Sequence, residues 1–363
     1  MRFEGTHGES VAGQPEKRRR WMLAAGWMLA CSLAACNLGT SPSVSGPPSG
    51  ASTSSPSAPT RLSVGLGYIP SVQFAQFYLA QQAGYYREAG LDVTFNNQTD
   101  TDVITLVGQG KVQVGIADGT SVIPAVSQGI PIKYVATIYA RFPNVVYAKA
   151  SSGITSVSDL RGKRLGTPGR YGSSWIMLQA LLSSAGLTTS DLDIQLYPDY
   201  GQGAALIQGA VAAATGFINN EPVVLERSGT PVTILRVDQT VPLPGNGLVA
   251  GTDTIATHRS ALRAFVAATL RAMREIQANP QAGLDAAVAA VPVLGQERAT
   301  QLAILKATIA TWSSDYTVAN GSGAIDRAAW TSTVRFMAGL PGGPITGTAP
   351  TVDQLIDESL LPG

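Results

Sequence analysis

A chain of 363 residues, 45% of them hydrophobic, can build one large core or two linked ones, and disorder of the whole chain is excluded. Only 13% are charged, and 25 basic against 24 acidic residues leave a net charge of +1, without the basic excess that phosphate neutralisation demands of a nucleic-acid binder. The two histidines, His7 and His258, and the two cysteines, Cys31 and Cys36, give poor support to a zinc cluster, a triad drawing on a second histidine, or a disulfide framework.

Residues 17–20 are a short basic block, and 21–35 are apolar apart from Gly26, Cys31 and Ser32. That is the layout of an export signal, its apolar run too short to span a bilayer comfortably. It ends in Leu33-Ala34-Ala35-Cys36, which resembles the bacterial lipobox. Cleavage before Cys36 would leave its thiol to carry a diacylglycerol; a plain cleavage site beside an incidental cysteine is the alternative. Residues 37–60 are Ser, Pro, Thr, Gly and Ala with almost nothing else and no charge, a composition that cannot bury enough apolar area to order itself. As a flexible tether it reaches roughly 25–30 Å.

In the folded body, 62–67 is a short apolar stretch, and 74–83 carries large apolar residues at helical spacing, closed by Gly84. Strands are predicted over 91–95, 112–117, 132–139 and 145–148, with helices over 101–108 and 121–128. This order predicts a parallel sheet covered by helices. A second set opens with a helical turn and a strand over 159–166. It continues with helix 173–185, strand 193–197, helix 204–209 and strand 214–218, and closes with a strand over 232–237. After Val249 the pattern is helical over 259–277, 297–311 and 325–337, which suits buttressing helices; Arg271, Arg274 and Glu275 form a solvated face.

The two sets echo each other. Leu106-Val107 and Gly110-Lys111-Val112 precede Gly115-Ile116-Ala117-Asp118, and Leu206-Ile207 and Gly209-Ala210-Val211 precede Gly216-Phe217-Ile218-Asn219-Asn220-Glu221. Two similar lobes follow, and ligands of open α/β sheets bind outside the carboxyl ends of strands. Asp118, with Thr120 beyond it, and the Asn220-Glu221 pair are thereby placed at a shared cleft. A capping role for Asp118 and a simple turn at Asn220-Glu221-Pro222 fit the sequence equally well.

A set of motifs carries a family likeness. Tyr68-Ile69-Pro70-Ser71-Val72-Gln73-Phe74-Ala75-Gln76-Phe77-Tyr78-Leu79-Ala80 is followed by Gly84-Tyr85-Tyr86 and Glu88-Ala89-Gly90-Leu91-Asp92-Val93. Then come Gln128-Gly129-Ile130-Pro131, Asp159-Leu160-Arg161-Gly162-Lys163, Ala185-Gly186-Leu187 and Asn220-Glu221-Pro222. In this order they resemble the NMT1/THI5-like solute-binding proteins over roughly 62–251. The resemblance implies a type II periplasmic-binding fold, an α/β architecture in which two lobes joined by a two-segment hinge close on a small ligand and deliver it to an ABC-transporter permease. It also implies a monomer without a cofactor. The expected organisation is a signal over 1–35, lipidated Cys36 and tether over 36–60, a first lobe of 61–151 and 238–363, and a second of 152–237. Hinge bending is expected near Ser151 and Val237.

Relatives of this kind are associated with riboflavin, thiamine pyrimidine precursors, sulfonates, taurine and nitrate. Aminopyrimidine binders and the related synthases carry a histidine where this chain has Phe74, and the synthases a cysteine-rich loop that this chain lacks. For an anion, Tyr171-Gly172-Ser173-Ser174 opening a helix offers N–H groups and a hydroxyl, with Arg141 and Arg170 as added charge; Asp118 and Glu221 would repel it. The other cleft candidates are aromatic or neutral-polar: Tyr68, Gln73, Phe74, Phe77, Asn96, Tyr139, Tyr171 and Trp175. Flat heterocycles stack on such rings while amides and carboxylates take their donors and acceptors, which favours riboflavin. Phe77 and Trp175 also suit core positions.

Two other classes compete with transport. An exported enzyme would need a poised base or nucleophile, and beyond the export segment only His258 offers an imidazole. A sensor subunit passing a closed state to a membrane receptor would use the same lobes.

Overall fold

The computed structural model describes residues 58–239, 243–340 and 343–362. The expected export signal, Cys36 and nearly all of the expected tether lie outside the described residues. Ten strands are formed: β1 (Thr60–Leu66), β2 (Leu91–Asn97), β3 (Val114–Asp118), β4 (Ile132–Thr137), β5 (Asn144–Lys149), β6 (Arg164–Thr167), β7 (Asp193–Leu196), β8 (Ala213–Phe217), β9 (Val232–Leu235) and β10 (Asn246–Gly251). They divide into two five-stranded sheets, ordered β2-β1-β3-β10-β4 and β7-β6-β8-β5-β9. The orders are the same when β6, β7 and β8 are read for β1, β2 and β3, so the echo in the sequence corresponds to a repeated topology.

Both sheets are mixed, which corrects the parallel sheet read from the alternation of elements. β1 pairs in parallel with β2 and β3, and β6 with β7 and β8. β10, however, runs antiparallel to β3 and β4, and β5 antiparallel to β8 and β9. Each antiparallel member enters directly from the opposite sheet, with no crossover helix to reverse its direction. β10 is not among the predicted strands, because in Asn246-Gly247-Leu248-Val249-Ala250-Gly251 glycines bracket only three apolar residues; its pairing with β4 shifts register between Leu248 and Val249. The chain crosses between sheets at 138–143 and 236–245. The second crossing begins beside Val237. The first precedes Ser151, because β5 already belongs to the second sheet.

Helices Ala75–Gln82, Asp100–Gly108 and Gly119–Ser127 connect the strands of the first sheet, and Gly172–Ser183, Gln202–Gln208 and Glu221–Arg227 those of the second. After β10 come the buttresses, including Thr252–Ala278, Pro280–Ala290, Arg298–Thr311 and Arg327–Ala338. The apolar positions of the long helix, Leu262, Phe265, Val266, Leu270, Met273 and Ile276, are all buried, as a stripe of helical period requires. Phe265 lies parallel to Tyr86 at 5.0 Å and to Phe77 at 6.3 Å between ring centroids. Trp330 meets Tyr134 edge-on at 4.9 Å. No helix among the described residues is long and apolar enough to cross a membrane.

Candidate functional site

The carboxyl ends of β1, β3, β6 and β8 and the segments that follow them converge on a cleft of about 880 Å³, part of it open to solvent. This is where doubly wound sheets leave backbone ends and loops free to meet a ligand. The first lobe lines it with Tyr68, Gln73, Phe74, Thr99, Thr101, Asp118, Tyr139 and Asn246; the second with Tyr171, Ser173, Ser174, Tyr200, Gln202, Phe217, Asn220 and Glu221.

On the first lobe, Ser71 opens the short turn of helix Val72–Phe74. Its hydroxyl accepts from the Gln73 backbone N–H at 3.3 Å and from Gln73 Nε2 at 3.1 Å. Gln73 Oε1 is thereby presented to the other lobe, where it accepts from Asn219 Nδ2 at 2.8 Å; the same amide donates to Thr308 Oγ1 at 2.8 Å. Asn219 is fully buried, so the lobes are tied at the cleft floor by well-shielded hydrogen bonds. Burial pushes the Tyr139 phenol up, while hydrogen bonds with Thr308 and Asn219 pull the other way.

Asp118 sits at the end of β3 and its carboxylate makes no capping bond to the helix that follows. It accepts instead from Asn144 Nδ2 of the second sheet at 3.4 Å, and Asn144 Oδ1 accepts from Ser174 Oγ at 2.9 Å. Both Asp118 and Asn144 are buried, giving a second polar link between lobes.

On the second lobe, Asn220-Glu221-Pro222 begins the helix Glu221–Arg227, and Pro222 suits a first turn where its missing N–H is not needed. The Glu221 carboxylate turns back to accept the Phe217 backbone N–H at 2.9 Å. Burial pushes this carboxyl above the ordinary glutamate range. Its charge in turn adds to the burial that raises the Tyr68 and Tyr147 phenols. Tyr68 meets Tyr200 edge-on at 4.8 Å across the cleft, and Asn220 Nδ2 donates to the Tyr68 hydroxyl at 3.4 Å. Tyr200 has φ of 62°, the one non-glycine residue with positive φ among those described. Tyr171 is 50% exposed at the cleft mouth. Its ring covers Gly169, where a Cβ would come within 2.2 Å of it, so a side chain there would displace the Tyr171 ring.

Of the residues read from the sequence, Tyr68, Gln73, Phe74, Asp118, Tyr139, Tyr171, Ser173, Asn220 and Glu221 are brought together in the lining. Phe77, Asn96, Thr120 and Trp175 are not. Phe77 is fully buried against Phe265. Asn96 donates to Ser63 Oγ at 2.8 Å on the neighbouring strand. Thr120 is buried in the first turn of Gly119–Ser127. Trp175 packs on the second lobe's core under the Arg170 guanidinium, 5.3 Å from its ring centroid. The arginines considered for an anion are also outside the lining: Arg170 is exposed on Trp175, and Arg141 borders a separate cavity behind the crossings.

Gln202, Tyr200, Asn246, Thr99 and Thr101 line the cleft without having been singled out. Gln202 stands between Gly201 and Gly203, a stretch that reads as loop, yet it opens the helix after β7 much as Thr99 caps the helix after β2. Among the described residues, no group of three or more His, Cys, Asp or Glu is placed to hold a metal ion.

Two lobes of repeated topology around one cleft define the periplasmic-binding fold. The chain belongs to the NMT1/THI5 like family, whose model matches residues 71–283. It is 34% identical over 310 residues to the riboflavin-binding protein RibY of Chloroflexus aurantiacus, covering 84% of this chain and 86% of that protein. It is 28% identical over 235 residues to a 4-amino-5-hydroxymethyl-2-methylpyrimidine phosphate synthase of Aspergillus parasiticus, covering 61% of this chain and 68% of that one. Among solved structures, the alkanesulfonate-binding protein SsuA of Xanthomonas axonopodis pv. citri, bound to MOPS, superposes with a TM-score of 0.61 at 17% identity over 78% of this chain and 96% of that chain. The periplasmic aliphatic sulphonate binding protein SsuA of Escherichia coli gives 0.58 at 17% over 69% and 84%. At these identities the structural likeness establishes the fold.

Proposed function

We propose that the protein is the substrate-binding component of an ABC importer, capturing riboflavin between its lobes and handing it to a permease without chemical change. The observation that carries this reading is the cleft itself, walled by aromatic rings from both lobes (Tyr68 and Phe74 facing Tyr171, Tyr200 and Phe217) and supplied with amides and carboxylates. Such walls suit a flat heterocycle bearing polar edges. The 34% identity to a riboflavin-binding protein over most of both chains supports it. Phe74 in place of the histidine expected of aminopyrimidine binders speaks against a thiamine precursor. The lack of a cysteine-rich loop speaks against synthase chemistry. Cys36 carries the lipid in this reading, so the protein acts on the extracytoplasmic face as a tethered monomer.

A thermal-shift screen of the purified protein against riboflavin, an aminopyrimidine precursor, taurine and an alkanesulfonate tests the ligand. At 100 times its dissociation constant a ligand stabilises by about 2.7 kcal/mol, so riboflavin is expected to raise the melting temperature clearly. A rise with a sulfonate and none with riboflavin overturns the assignment and makes Ser173 and its helix N-terminus the anchor. For the anchor, Cys36→Ser is expected to move the protein from the membrane fraction to the soluble one, and unchanged fractionation would refute it.

A further inference from the structure

The second lobe's share of the cleft holds more buried polar groups than it satisfies. Gln202 is 1% exposed; its Nε2 donates to the Thr215 carbonyl at 3.2 Å, while its Oε1 is buried with no partner. The Tyr147 hydroxyl, on a fully buried side chain, is likewise without a partner. Tyr147 lies beside Glu221, behind the lining, and Gln202 lines the cleft with Glu221. A Cβ on Gly216 would come within 2.8 Å of Glu221 Oε2 and 2.8 Å of Tyr147 Cε1, and one on Gly203 within 3.3 Å of the Tyr147 hydroxyl. The two glycines therefore leave the gap into which carboxylate and phenol fit. A buried acceptor without a donor is costly, and a ligand that brings the donor recovers that cost. Across the cleft stands the second carboxylate, Asp118, and the described lining residues include no lysine, arginine or histidine.

We propose that Gln202 and Glu221, with Tyr147 packed behind Glu221, form a specificity filter: with Asp118 opposite, they accept a neutral heterocycle through its N–H or O–H donors and exclude the phosphorylated form of the same molecule. The inference rests on the riboflavin reading and adds to it the residues that select and the chemical group they reject. An amide oxygen and a carboxylate reward donors; a phosphate has none to give when ionised and would face two acids in a water-poor cleft. Specificity of this kind comes as much from the repulsive element as from the attractive one. One feature pulls the other way. Gly172 and Ser173 at the start of the helix Gly172–Ser183 line the same cleft, and helix N–H groups there favour an anion.

Equilibrium titration of the full-length protein with riboflavin and with riboflavin 5′-phosphate separates these. Riboflavin is expected to bind at least 100-fold more tightly than the phosphate. Gln202→Leu is expected to weaken riboflavin at least 10-fold, and Glu221→Gln to narrow the ratio between the two flavins by favouring the phosphate. Circular dichroism confirms that each variant is folded, and the two-ligand comparison on the unaltered protein needs no variant. If the phosphate binds within threefold of riboflavin, the filter is refuted and the riboflavin reading stands. If riboflavin fails to bind, both fall. If the ratio is large but Gln202→Leu and Glu221→Gln leave it and the riboflavin affinity unchanged, these residues are not the filter.

Discussion

The two lobes build their sheets in the same strand order yet bring different surfaces to the cleft. In the first, Gln73 is held by Ser71 and by Asn219, Asp118 is hydrogen-bonded to Asn144, and the sheet is backed by long helices and an aromatic stack. In the second, Gln202 Oε1 and the Tyr147 hydroxyl lack partners, Glu221 is buried at the start of a short helix, and Tyr200 sits in a left-handed backbone conformation. Both lobes bury polar atoms without partners, Asn246 Oδ1 in the first lobe's lining and Gln202 Oε1 in the second's; what the second adds is a buried carboxyl and a tyrosine in a left-handed backbone, the local strain that recognition surfaces tend to store.

If that contrast is correct, the largest effect on stability comes from the first lobe's core. Phe77→Ala is expected to cost about 3–5 kcal/mol in denaturant unfolding while the folded fraction binds ligand with unchanged affinity; a selective loss of affinity would place Phe77 in the site after all. Asn219→Ala comes next, because it strips Gln73 and Thr308 of a shared buried donor and costs about 1–3 kcal/mol. Small-angle scattering of the unliganded variant should show a larger radius of gyration, and an unchanged radius would mean that these bonds do not hold the lobes together.

Glu221→Gln should do the opposite to stability. A carboxyl raised by burial binds its proton more tightly folded than unfolded, so its stabilising contribution is complete below the ordinary value of 4.5 and is lost as pH rises through the raised folded value. The melting temperature of the Gln variant should therefore gain on the wild type as pH is raised across that window. A constant difference would show that Glu221 does not titrate there. The smallest effect is expected at the rim of the first sheet: Asn96→Ala should stay within about 0.5 kcal/mol and leave affinity unaltered in the same titration.

Much of this arrangement is written plainly in the chain. Helical period in 259–277 located the buttress, and polar residues ending apolar strands located Asp118 and Glu221. What could not be read follows from physics beyond local pattern. In β10 the glycines leave only three consecutive apolar residues, too few for periodicity to register, and its direction depends on a partner sheet far away in sequence. Phe77 and Phe74 stand three residues apart with the same chemistry and both are buried, yet Phe74 also lines the cleft while Phe77 packs against Phe265. Gln202 is hidden because glycines on either side read as loop, although one of them, Gly203, leaves room for the Tyr147 hydroxyl.

Tyr200 carries a consequence for anyone who would engineer the protein. Its φ of 62° costs a non-glycine residue about 1–2 kcal/mol, which glycine would return, yet its ring is the one that meets Tyr68 across the cleft. Backbone and side chain thus make opposite demands at a single position. A library sorted for heat resistance alone should drift toward glycine there and lose the ligand as it does so, whereas one sorted on retained flavin should keep the tyrosine.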